Sequence, residues 1–148
     1  MSMRALRISV FLLPALLGGC VVLPVYKVQP DEAVATVDVS RLPDPAVCID
    51  GVGYKPAPAG KDLVSIPADK RVSLYSSWYA SDGYMSYYCT AGAAYTFAAG
   101  SKLVAAMEHD SLGCRVDLVQ LVDDTPTGTR MDPTTGVAEC NPWNPDGE

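Results

Sequence analysis

The one histidine of this chain, His109, stands between two carboxylates, Glu108 and Asp110. An imidazole flanked by acids can serve as a general base with carboxylates to orient it. Neighbours on a strand point to opposite faces, however, so three consecutive side chains do not converge on one proton. The run reads as a polar turn between two strands, and no nucleophile motif accompanies it. The sequence has no GxGxxG or P-loop phosphate cradle. Asp123, Asp124 and Asp132 are not spaced like a calcium loop and read as solvated loop charge. The expectation is of no catalytic residue, no metal and no cofactor.

Cysteine is the other reactive residue type. Of five cysteines, Cys20 closes a hydrophobic leader, which leaves Cys48, Cys89, Cys114 and Cys140. None of the spacings is CxxC, and one histidine cannot complete a zinc site with them. An even number in an exported domain predicts two disulfides, each stabilising by about 2–4 kcal/mol. Four cysteines allow three connectivities, and sequence does not choose among them.

The leader has three parts. Arg4 and Arg7 form a positive start, Ile8 to Leu17 is an apolar run too short to cross a bilayer as a helix, and Leu17-Gly18-Gly19-Cys20 follows. The last four residues resemble the lipobox of bacterial lipoproteins: an aliphatic residue, two small residues that fit the peptidase cleft, and a cysteine whose thiol accepts a diacylglyceryl group. The resemblance implies cleavage before Cys20 and two or three acyl chains on the mature N-terminus. At about 0.8 kcal/mol per buried CH₂, several chains anchor durably where one would not. Val21 is not the aspartate that retains such proteins in the inner membrane of enteric bacteria. The family rule therefore implies the outer membrane, with the domain facing the periplasm.

Charge agrees with anchoring by lipid and not by electrostatics. The whole chain of 148 residues carries −6, and loss of the leader leaves 9 basic and 17 acidic side chains, a net −8. That balance argues against nucleic acid and against attraction to an anionic membrane surface.

The elements that must position these residues read as strands. After the leader (1–19), residues 20–32 hold the lipidation site and a proline-containing tether without strand or helix period. Strand patterns follow at Ala33–Val39, Ala46–Asp50, Leu63–Ile66, Arg71–Tyr79, Tyr84–Cys89, Ala94–Phe97, Lys102–Glu108 and Cys114–Val122, with Tyr54 opening a further partner strand. Asp50-Gly51, Pro67 to Lys70, Ser81-Asp82-Gly83 and Ala99-Gly100 are turns, and Lys55 to Gly60 is a Pro/Gly/Ala loop. Ala98 to Met107 is alanine-rich enough to compete as a helix, but Gly100 favours strand. So many short strands predict an all-β domain over 33–124, an antiparallel sandwich or barrel. Residues 125–148 read as an irregular tail pinned by Cys140, mobile from Asn141 onward.

The succession "Cys-Ile-Asp-Gly", "Val-Ser-Ile-Pro-Ala-Asp-Lys-Arg-Val-Ser-Leu", "Tyr-Thr-Phe-Ala-Ala-Gly-Ser-Lys-Leu-Val-Ala" and "Arg-Val-Asp-Leu-Val" resembles the small domains of PEGA-type bacterial lipoproteins. It covers about Ala46 to Val122, with Asp69 where those domains usually carry glycine. The resemblance implies an immunoglobulin-like or prealbumin-like β-sandwich and almost nothing about activity.

Binding is the chemistry that remains. Tyr75, Trp78, Tyr79, Tyr84, Tyr87 and Tyr88 crowd one hairpin. With Val72, Leu74, Ser76 and Trp78 on the core face, Tyr75 and Tyr79 are expected to face solvent. Together with Tyr84 and Tyr87 they form a candidate surface for a sugar, a peptidoglycan strand or an envelope protein. The leading expectation is a non-enzymatic periplasmic binding module. An immunity or inhibitor lipoprotein against a basic toxin or hydrolase is the first alternative, and a structural subunit of an envelope complex the second.

Overall fold

The structure, a computed structural model, describes residues 22–110 and 113–143. Cys20, the leader and residues 144–148 lie outside the described residues.

Eleven strands and no helix occur among the described residues. They are β1 (Val34–Arg41), β2 (Ala46–Ile49), β3 (Val52–Tyr54), β4 (Ala57–Gly60), β5 (Leu63–Pro67) and β6 (Arg71–Ser81). They continue as β7 (Ser86–Thr96), β8 (Lys102–Asp110), β9 (Gly113–Leu121), β10 (Thr129–Met131) and β11 (Gly136–Val137). One sheet has the order β10-β9-β8-β1-β5-β4 and the other β11-β7-β6-β2-β3. The all-β expectation holds, with every pairing between strands antiparallel except that of β1 with β8.

Alternation explains the core. Val37, Ile66, Leu103 and Leu118 point inward from one sheet, and Val72, Leu74 and Tyr95 from the other. Burial raises the Tyr95 hydroxyl well above the ordinary phenol value, and that group donates to the Val116 carbonyl at 3.0 Å. A buried hydroxyl without an acceptor would cost about 1–3 kcal/mol, so this bond fixes one sheet against the other.

The structure departs from the sequence reading in four places. Tyr84–Cys89 and Ala94–Phe97 are not separate strands; one continuous strand, β7, runs through Ala91-Gly92-Ala93. Part of the Lys55–Gly60 loop is β4, an edge strand, where Pro58 costs no central ladder bond. The tail contributes β10 and β11, and its described end is packed: Pro142 is fully buried, and Trp143 meets Tyr75 edge-on at 6.0 Å. Asn141 to Trp143 therefore lie on the domain and do not hang free of it.

The tether is the fourth departure. Leu23 is only 8% exposed and packs with Ala46 and Tyr75, while Val25 bridges to Lys55. Tyr26 meets Tyr54 edge-on at 5.3 Å and donates to Glu32 at 2.7 Å, and Lys70 reaches the same carboxylate at 3.1 Å. Burial pushes the Glu32 carboxyl up, but the hydrogen bonds from Tyr26 and Lys70 outweigh it and hold the group below its ordinary value of 4.5. Stability from a depressed carboxyl is complete above the ordinary value and disappears as pH falls through the lower, folded one. The urea midpoint of the parent should thus exceed that of Glu32→Gln at neutral pH, and the gap should close as the pH falls below the ordinary carboxyl value of 4.5. A gap unchanged by acid would remove the ion pair from the account.

Turn chemistry follows the aspartates. Asp50 and Gly51 both have positive φ (52° and 80°), which makes the two-residue hairpin between Ile49 and Val52. Asp69 has φ 60°, the left-handed conformation that glycine adopts freely. Asp69→Val should therefore cost about 1–2 kcal/mol in urea unfolding, and Asp69→Gly much less.

Candidate binding ribbon

The pair β6 and β7 outgrows the sandwich. β2 accompanies β6 only as far as the Ala46–Tyr75 pair, and β11 touches β7 only at Ala93 and Ala94. The Pro43 carbonyl takes the last lateral bonds, from the Ser76 hydroxyl at 2.5 Å and the Ser77 amide at 3.3 Å. Beyond that level the hairpin is a two-stranded ribbon, a structure of marginal stability by itself.

Two contacts brace it against the other sheet. Cys89 on β7 is joined to Cys114 on β9, with Cα atoms 6.3 Å apart. Trp78, paired with Cys89 across the ribbon, stacks on His109 of β8 with centroids 5.1 Å apart and planes at 15°. The other disulfide, Cys48–Cys140, has Cα atoms 6.1 Å apart and pins the tail. Both separations suit unforced cystines, and the pair selects one connectivity of the three.

The ribbon ends in a turn over Asp82 to Met85. The Asp82 carboxylate accepts the amides of Tyr84 (2.9 Å) and Met85 (2.8 Å), while Gly83 takes φ 88°. Tyr84 therefore belongs to the turn and not to the returning strand, and its side chain is 98% exposed. Met85 is 57% exposed beside it. On the outer face, Tyr79 (64% exposed) pairs with Tyr88 (70%), and Tyr79 hydrogen-bonds Ser86 at 3.2 Å. Hydrogen bonds with Ser86, and next Ser81, hold the Tyr79 hydroxyl below the ordinary phenol value. Tyr87 looks the other way, towards Trp78 and His109, across a cleft of about 440 Å³.

Of the four tyrosines expected at the surface, Tyr79, Tyr84 and Tyr87 are exposed, Tyr87 on the opposite face from Tyr79, and Tyr75 is not. Tyr75 does share the Tyr79 face, but Trp143, Leu23 and Ala46 cover it to 9% exposure, and burial raises its hydroxyl pKa. Its ring lies over Gly92 of β7, where a Cβ would collide with it. A glycine opposite a tyrosine on a neighbouring strand was the available signal for this. Tyr88, crowded into the same hairpin by sequence, and Met85 complete the exposed group.

The acidic cluster does not converge. His109 points inward onto Trp78, whereas Glu108 lies on the outer face near Arg41 at 3.8 Å. Among the described residues no group of three or more His, Cys, Asp and Glu side chains is placed to hold a metal ion, and no helix is long and apolar enough to cross a membrane.

No protein-family model, no curated protein and no solved structure matches the chain.

Proposed function

We propose that the chain is an outer-envelope lipoprotein, cleaved before Cys20 and acylated on that thiol, whose sandwich is a non-enzymatic periplasmic binding module. The leader pattern supports the anchor, and Val21 after the cysteine supports the outer membrane. The observation that carries the binding reading is the ribbon: a disulfide-braced hairpin displaying Tyr79, Tyr84, Met85 and Tyr88 to solvent. Exposed aromatic groups of this kind are costly to solubility and mark contact surfaces. Aromatic anchors also supply a large contact area with few rotamers to freeze.

Two measurements test it. Intact-mass analysis of protein extracted from membranes should show a chain beginning at Cys20 with added lipid, and Cys20→Ser should abolish that species. In native envelopes, p-benzoylphenylalanine in place of Tyr84 should give photo-adducts, and the same residue in place of Lys102, on the outer face of the other sheet, should give none. A soluble chain of unmodified mass removes the anchor, and equal labelling at both positions removes the ribbon as the contact surface.

A further inference from the structure

The N-terminal segment and the ribbon tyrosines occupy the same face of the same sheet. Leu23 packs on Tyr75, and Tyr75, Tyr79 and Tyr88 share the outer face of the β6–β7 pair. Cys20 precedes Leu23 by three residues, which span at most about 11 Å. Tyr79 lies four residues beyond Tyr75, or roughly 13 Å along the strand. An acyl chain on Cys20 therefore enters its bilayer from beside this face, with no long linker to carry the domain away.

The ribbon differs from the rest of the protein in charge. Residues 77–90 include one charged side chain, Asp82, in a chain of net −6. The Asp82 carboxylate is committed to the amides of its own turn. An acidic body is repelled by anionic phospholipid, whereas a neutral ribbon tipped with tyrosine and methionine is not. Tyrosine is also a residue that concentrates at the boundary between headgroups and water, its ring in the apolar layer and its hydroxyl in the polar one. A standard protein interface takes about 20–30 residues a side, more than the ribbon provides.

We propose that the outer face of the ribbon lies in the headgroup region of the same membrane that holds the Cys20 lipid, so that the domain is bound at two points and lies flat against the surface. This rests on the lipoprotein reading above. The anchor sets the distance, and Tyr79, Tyr84, Met85 and Tyr88 set the orientation.

The test uses the full mature lipoprotein in vesicles of phosphatidylethanolamine and phosphatidylglycerol, with p-benzoylphenylalanine at Tyr84, Tyr88 or Lys102 in separate preparations. Irradiation should give phospholipid adducts at Tyr84 and Tyr88 and none at Lys102, and Tyr84→Ser with Tyr88→Ser should deprotect the ribbon amides in hydrogen exchange. A lipidated protein without phospholipid adducts at the ribbon overturns the proposal and leaves the anchored module standing. Protein adducts at Tyr84 in native envelopes, in place of lipid ones, overturn it in favour of a protein partner. An intact mass without lipid overturns both readings at once.

Discussion

The Cys48→Ser/Cys140→Ser double variant should unfold at a far lower urea concentration than the parent, by about 4–5 kcal/mol on the chain-entropy view. The Cys48–Cys140 bridge closes a sequence separation of 92, against 25 for Cys89–Cys114, for which the same view gives about 3–4 kcal/mol. The two losses should also differ in kind. Without Cys48–Cys140 the tail is held by the short β11–β7 pairing, by Pro142 and Trp143, and by polar ties such as the Glu139 amide to Ser73 at 2.9 Å and the Arg71–Glu139 pair at 2.7 Å. Trp143 should then leave Tyr75 and its emission move to the red before the sandwich melts. Without Cys89–Cys114 the ribbon loosens, and it is the Trp78–His109 stack that should report it. Trp143 emission that stays fixed until global unfolding would mean that packing alone, through the buried Pro142, retains the tail.

Gly92→Ala should cost about 1–3 kcal/mol although it adds a single methyl group. The new Cβ would coincide with the Tyr75 ring, and that ring has no room to retreat, with Trp143 and Leu23 above it. Tyr75→Ala should cost about 3–5 kcal/mol by itself, as truncation of a large buried aromatic does. In the double variant the cost of Gly92→Ala should vanish, because the atoms it collides with are gone. The coupling read from the four urea midpoints is the decisive quantity. Additive losses would mean that Gly92 matters for the backbone of β7 and not as a seat for the ring.

These two sites also show where sequence reading succeeds and where it stops. The alternation in Arg71–Tyr79 puts Val72, Leu74, Ser76 and Trp78 on one face because an amphipathic strand records its core side in period two. That same pattern is silent on what lies over the other face. Tyr75 is covered by Leu23 and Trp143, which are remote in sequence and carry no periodic mark of the contact. Ala91-Gly92-Ala93 looked like a gap between strands since small residues have low strand propensity. In fact Gly92 is bare where Tyr75 needs space, and the alanines on either side of it face the core. The aromatic crowding of the ribbon was legible from composition, whereas its bracing was not, because four cysteines are consistent with three pairings.

The cystines are nested: the first cysteine of the folded domain is joined to the last, and the two middle ones to each other. A chain threaded N-terminus first into an oxidising compartment presents Cys48 and Cys89 to each other before Cys114 or Cys140 has arrived. Oxidation in order of appearance would thus yield the wrong bond, and the native pattern requires either a delay until synthesis ends or a thiol that later exchanges it. Were the chain exported as proposed, its maturation would need such a delay or such an exchange, and not merely an oxidant.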